Sequence, residues 1–136
     1  MTGAVRLIRS ATLHGDADYA CAATAPRDAR LVFLAGACPM ADDGTTLAVG
    51  DVAGQAAACI ATMTRALTEA GASIEDVIST RVLVASSDRA DLVAAWQVVR
   101  EAFTGHLVPS TLLGVTVLGY PDQLVEIEAV AALVDD

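Results

Sequence analysis

Lysine is absent from the 136 residues of this chain. All eight cations are arginines, set against 17 aspartates and glutamates for a net charge of −9. Without lysine there is no amine to form a Schiff base, to anchor pyridoxal phosphate, or to complete a Gly-Lys-Ser/Thr phosphate loop. An acidic chain with scattered arginines also lacks the clustered cations that neutralise phosphates, so no nucleic-acid partner is expected and ribonuclease activity finds no support. Aromatic residues are only 4% of the chain although 54% is apolar. The core must therefore be built from Ala, Val, Leu and Ile, which gives thin layers and leaves apolar surface to bury in an oligomer.

Cysteines are few and odd in number: Cys21, Cys38 and Cys59, without paired spacing. They point to a reducing compartment rather than a disulfide framework. With only two histidines besides, no short ligand spacing appears, so neither a metal nor a cofactor is expected. No charged-then-apolar leader opens the chain, and no apolar run reaches the roughly 18 residues of a membrane span. The expectation is a soluble, cytoplasmic protein without membrane contact, folded as one domain over residues 1–136.

Along the chain, Val5–Ser10 and Asp18–Thr24 read as strands, and the turn-like Ala25–Ala29 predicts that Arg30–Gly36 folds back on the second as a hairpin. Pro39–Gly50 is a loop with a short strand near Thr45–Ala48. Asp51 caps a helix that runs through Ala70, with Val52, Ala56, Cys59, Ile60, Met63, Ala66, Leu67 and Ala70 as its buried stripe and Gly71 as its stop. Ile78–Ala85 is a strand. Ser87 or Asp88 opens a second helix to about Phe103, buried along Leu92, Ala95, Trp96, Val99 and Phe103. The order of elements is an α+β pattern with two helices available for one face of a sheet.

The last third, Pro109–Ala131, reads as two strands joined at Gly119-Tyr-Pro-Asp122. Alternation places Val125, Ile127, Ala129 and Ala131 on one face, which should meet the helices, and Leu124, Glu126, Glu128 and Val130 on the other. Two carboxylates among apolar neighbours are not a plain polar exterior, so the second face should meet something other than bulk water.

This stretch, Pro109-Ser-Thr-x-x-Gly-Val followed by Leu124-Val-Glu-Ile-Glu-Ala-Val-Ala131, resembles the closing signature of the Rid family, the imine/enamine deaminase superfamily also called YjgF. The similarity extends in order to Leu31-Val-Phe-Leu-Ala-Gly36, Gln55, Ala70-Gly71, Asp76-Val77 and Phe103. It implies a chorismate-mutase-like fold: a mixed sheet with two helices on one face, and three subunits around a central barrel. It also implies a small-molecule ligand held in clefts between the subunits of that homotrimer. In deaminating members an arginine pairs with the substrate carboxylate through two parallel hydrogen bonds. A glutamate positions a water against the imine carbon, and a tyrosine of the first hairpin helps to close the pocket. By position these correspond to Ser110, Glu126 and Tyr19.

Ser110 supplies neither the charge nor the planar fork of an arginine, so the resemblance is to a branch unsuited to standard 2-imino acids. Two readings of Glu126 stay open. It is either a partly exposed strand carboxylate facing an interface, or the group that moves a proton in the cleft, its apolar neighbours favouring the protonated form. Gly36, Ala37 and Cys38 would line the pocket wall and fix polar ligand atoms through their backbone. Trp96 would narrow the cleft. A nucleophilic serine is not expected, since no glycine elbow is present and His14 and His106 both fall in loops. Two functions from different classes follow: a hydrolase of the enamine/imine deaminase type, or a non-catalytic small-molecule-binding or structural trimer. A chorismate-transforming enzyme on the same fold is a remoter option, because such substrates carry carboxylates.

Overall fold

The computed structural model describes residues 3–13 and 17–135. Its strands and helices are β1 (Arg6–Ile8), β2 (Ala22–Thr24), β3 (Arg30–Phe33), α1 (Val52–Glu69), β4 (Val77–Val84), α2 (Arg89–Ala102), β5 (Ser110–Gly114) and β6 (Val125–Leu133), with a 3-10 turn at Ile74–Asp76. The main sheet has four strands in the order β3-β6-β4-β5, and β1 and β2 form a separate two-stranded ribbon. β5 runs parallel to β4 while β6 runs antiparallel to β3 and β4, so the sheet is mixed, as expected.

α1 begins and ends where its sequence says it should. The Asp51 carboxylate accepts a hydrogen bond from the Gly54 amide at 2.9 Å, satisfying one of the free donors of the first turn. At the other end Gly71 takes φ +80, a left-handed stop that a side chain would strain. α2 is capped by Asp88, whose side chain accepts from Ala90 N. Both helices lie on one face of the sheet, α1 against β6 and α2 against β4 and β5. Val125, Ile127, Ala129 and Ala131 of β6 are all buried there, against Ala56, Cys59, Met63 and Leu67 of α1 and Ala95 and Val99 of α2. Among the described residues neither helix covers the opposite face, and Phe33 stands 73% exposed at its margin.

Two pairings differ from the sequence reading. The closing strands are not a hairpin: β4 lies between β5 and β6 and pairs with both. α2 delivers β5 to β4 as a crossover, which a parallel pair requires, and residues 115–124 then carry the chain past the end of β4 to reach β6. Nor do β2 and β3 form a hairpin. β2 pairs with β1, whereas β3 pairs with β6 over Arg30↔Leu133 to Phe33↔Val130. The nine-residue β6 offers β3 four paired positions, more than the three residues of β2 allow. Between Met40 and Thr46 the loop closes by a single bridge rather than a strand.

Candidate functional site

Glu126 lies on the face without helices, between buried Val125 and Ile127 and opposite Leu83 of β4. Its carboxylate oxygen Oε1 accepts from Cys38 Sγ at 3.3 Å and from Gln123 Nε2 at 3.3 Å. Oε2 rests over Gly36 so closely that a Cβ on that glycine would stand 2.4 Å from it. The Gly36–Cys38 segment is held in this place by two backbone bonds, Ala37 N to Ile127 O at 2.7 Å and Ile127 N to Ala37 O at 3.0 Å. From α1, Thr62 Oγ1 donates to the Cys38 carbonyl at 3.1 Å. The structure thus brings Gly36, Ala37, Cys38 and Glu126 together although 88 residues separate the thiol from the carboxylate.

Burial, and after it the hydrogen bond and negative charge of Glu126, push the Cys38 thiol up to about 11. It is a proton donor at neutral pH, not a nucleophile. Cys59, buried behind it, is pushed up by burial and by the same neighbours, and its Sγ donates to Val125 O at 3.4 Å.

Tyr19, Trp96 and Ser110 are elsewhere. The rings of Tyr19 and Trp96 meet edge to face with centroids 6.2 Å apart. Ser110 pairs with buried Thr80, whose hydroxyl donates to Ser110 Oγ at 2.8 Å, so the Ser110 side chain lies on the helix side of the sheet. Only about 10 Å³ of free space lies between Ser110 and Trp96. On the Glu126 face the corresponding register is filled by Thr111, opposite Arg81, and Arg81 Nε lies 3.4 Å from Glu128 Oε1. Within one chain, then, Ser110 and Glu126 do not share a cleft. Arg100 pairs with Asp18 at 3.5 Å beside the aromatic pair. His106 places Nε2 2.8 Å from Val77 O, and His14 lies outside the described residues.

Two buried glutamines complete the site and were not assigned roles from the sequence. Gln123, 4% exposed, donates to Val125 O at 3.0 Å as well as to Glu126, and its Oε1 accepts from Tyr120 N at 3.1 Å. Gln55 of α1 accepts from Leu124 N at 2.7 Å and donates to Asp122 O at 2.9 Å, tying the 119–124 turn to the helix. Gln55 was marked by the family resemblance, though without a role, and by being polar beside the apolar stripe of α1; Gln123, at a strand entrance, had no signal. Among the described residues no three metal-ligating side chains come together, and no helix is long and apolar enough to cross a membrane.

Two helices over a mixed sheet, with a glutamate on its open face against a glycine-containing wall, define an α+β protein of the YjgF type. The family model described as Endoribonuclease L-PSP matches residues 14–133, and the chain belongs to this family, also known as Rid or YjgF. Among curated proteins none matches. Among solved structures, the chain is similar to YyfB of Yersinia pestis, a Rid-family protein of unknown function. Identity is 26% with a TM-score of 0.88, over 96% of this chain and 99% of that one. It is also similar to Rv2704 of Mycobacterium tuberculosis, a member of the YjgF/YER057c/UK114 family, at 28% identity and TM-score 0.64, over 95% and 99% of the two chains. Yeast Mmf1, 20% identical with TM-score 0.69 over 98% of each chain, shares the fold.

Proposed function

We propose that this protein is a homotrimer that binds a small, uncharged imine or enamine in clefts between subunits and hydrolyses it with Glu126 as the base. The observation that carries this reading is the Glu126 carboxylate, held through Oε1 by two donors and open at Oε2 above Gly36. A water approaching there would bond through its oxygen to the imine carbon while the C=N electron pair moves to nitrogen. Oε2 takes one proton of the water and passes it to that nitrogen, giving a carbinolamine. It then takes the hydroxyl proton and delivers it to nitrogen as the C–N bond breaks, so that an amine leaves and a carbonyl compound remains. Support for the trimer comes from the uncovered sheet face, where Leu31 and Phe33 are 54% and 73% exposed around Glu126 and Glu128. Apolar surface of this kind is what an oligomer buries. The Tyr19–Trp96 cluster and the Glu126 corner, separate in one chain, would then face each other across a boundary between chains. Ser110 stands at the position that the resemblance gives to the arginine and Arg81 lies 3.4 Å from Glu128, so neither residue offers an unengaged cation to a substrate carboxylate.

A second reading, a trimer that binds or assembles without catalysis, is favoured by one observation: Ser110 is bonded to buried Thr80 on the helix side of the sheet, away from Glu126. Sedimentation equilibrium combined with an amine-release assay on a neutral acyclic imine separates the two. A trimer with turnover supports the hydrolase, a trimer without turnover on any imine supports the second reading, and a monomer removes both.

A further inference from the structure

We infer that Gln123 and Cys38 are positioning residues that together fix Glu126 by its Oε1 and so select Oε2 as the oxygen that accepts the proton. The inference rests on the hydrolase reading for its catalytic half, and on geometry alone for the rest. A glutamate side chain on an open sheet face has several rotatable bonds and no reason of its own to lie flat over a glycine. Here the restraint comes from two sides. Gln123 approaches from the strand entrance and Cys38 from the facing wall, and both reach the same oxygen at 3.3 Å.

Gln123 cannot turn away, and the single Cys38 S–H is shared between Glu126 Oε1 at 3.3 Å and the Gly36 carbonyl at 3.4 Å, where the carboxylate charge favours Oε1. The Gln123 Oε1 already accepts the Tyr120 amide at 3.1 Å, so a flip would set its NH2 against an N–H donor. Its NH2 is therefore aimed at the Val125 carbonyl and Glu126. The turn that carries it is tied to α1 by Gln55. Cys38 is anchored through its carbonyl, which accepts from Thr62 Oγ1 at 3.1 Å and from Met40 N at 2.9 Å. Its thiol keeps its proton far above neutral pH, so toward Glu126 it acts as a donor. Oε1 is thus occupied by two donors. Oε2 accepts no hydrogen bond among the described residues, and it is not a fully buried unpaired oxygen, so it is the oxygen left to meet a water.

The test has two readouts, both made with exposed Cys21 replaced by Ser to remove its thiol. The first is the rate at which iodoacetamide labels Cys38 at pH 8.5, which follows the thiolate fraction. Glu126→Gln removes the carboxylate that holds the proton on sulfur, and labelling should rise about tenfold for each pKa unit released. Gln123→Leu removes a donor that favours the thiolate, and labelling should fall several-fold. The second readout is steady-state hydrolysis of a neutral imine. Cys38→Ala and Gln123→Leu should lower kcat about tenfold or more with KM nearly unchanged, whereas Cys38→Ser restores an O–H donor and should recover most of kcat. Unchanged labelling in both Glu126→Gln and Gln123→Leu overturns the proposed hold on the carboxylate. Equal kcat in Cys38→Ala, Cys38→Ser and the parent overturns its catalytic half. If Gln123→Leu does not fold, the Cys38 pair decides alone. If the parent hydrolyses no imine, the functional reading fails while the labelling still decides the geometry.

Discussion

Replacing Gly36 by alanine should destabilise the protein because of Glu126 and for no other reason. Gly36 does not use the left-handed region, so alanine costs nothing in backbone conformation. The new methyl carbon would lie 2.4 Å from Oε2, 2.7 Å from Cδ and 3.1 Å from Cγ of Glu126. A terminal oxygen alone could swing aside, but with Cδ and Cγ also too near, the whole carboxylate must move and release Oε1 from Gln123 and Cys38. Overpacking costs about 1–3 kcal/mol and each hydrogen bond to a charged group is worth about 1.5–3 kcal/mol, so after partial re-solvation the expected loss is about 2–4 kcal/mol. With a urea m-value near 2 kcal/mol/M, the unfolding midpoint should fall by roughly 1–2 M. Gly119→Ala is the control, since a Cβ there meets nothing within 4 Å. It should stay within about 0.5 kcal/mol of the parent. In a Glu126→Ala background Gly36→Ala should become nearly neutral, because the two residues are in contact and their effects are not additive. A midpoint unchanged by Gly36→Ala, or a loss that persists without Glu126, refutes the packing of the carboxylate over the glycine.

Other consequences follow from neighbouring groups. Gln55→Leu strips partners from the Leu124 amide and the Asp122 carbonyl, and at about 1–3 kcal/mol for each group left unpaired it should lower stability by roughly 2–6 kcal/mol in urea unfolding. The pH dependence has a definite sign at Cys38. Its folded-state value is raised from the ordinary 9.0 to about 11, so its stabilising effect is complete below pH 9 and is lost as pH rises through 11. Stability measured from pH 8 to pH 11.5 should therefore fall less in Cys38→Ser than in the parent, and equal slopes would contradict the assignment.

The parts of the molecule that could be read from residues alone are those decided by neighbours in sequence. Asp51 and Gly71 bracket α1 because a cap and a left-handed stop are local events, and the alternation of Val125, Ile127, Ala129 and Ala131 is a property of any strand with one buried face. The insertion of β4 between β5 and β6 was not legible. Gly119-Tyr-Pro-Asp122 carries the residues of a hairpin turn, and only the pairing of distant strands shows that the chain there crosses over instead. The face of Ser110 was lost for the same reason: in a five-residue strand it is set by its register with Thr80, not by its own neighbours. Glu126 stood out as an acid among apolar residues. Its contact with Cys38 joins segments 88 residues apart, and no local pattern announces such a meeting.

Proton transfer by Glu126 in a cleft is put to the test by comparing Glu126→Gln with Glu128→Gln. Both residues lie on the same face of β6, but Glu128 is engaged at its edge by Arg81 while Glu126 is turned over Gly36. Glutamine preserves shape and hydrogen bonding but accepts no proton. With a neutral imine as substrate, Glu126→Gln should remain a folded oligomer of the parent's size and lose about 10²–10⁴-fold in kcat, while Glu128→Gln loses less than about tenfold. Full activity in Glu126→Gln, or dissociation of the oligomer by that substitution alone, would contradict the account.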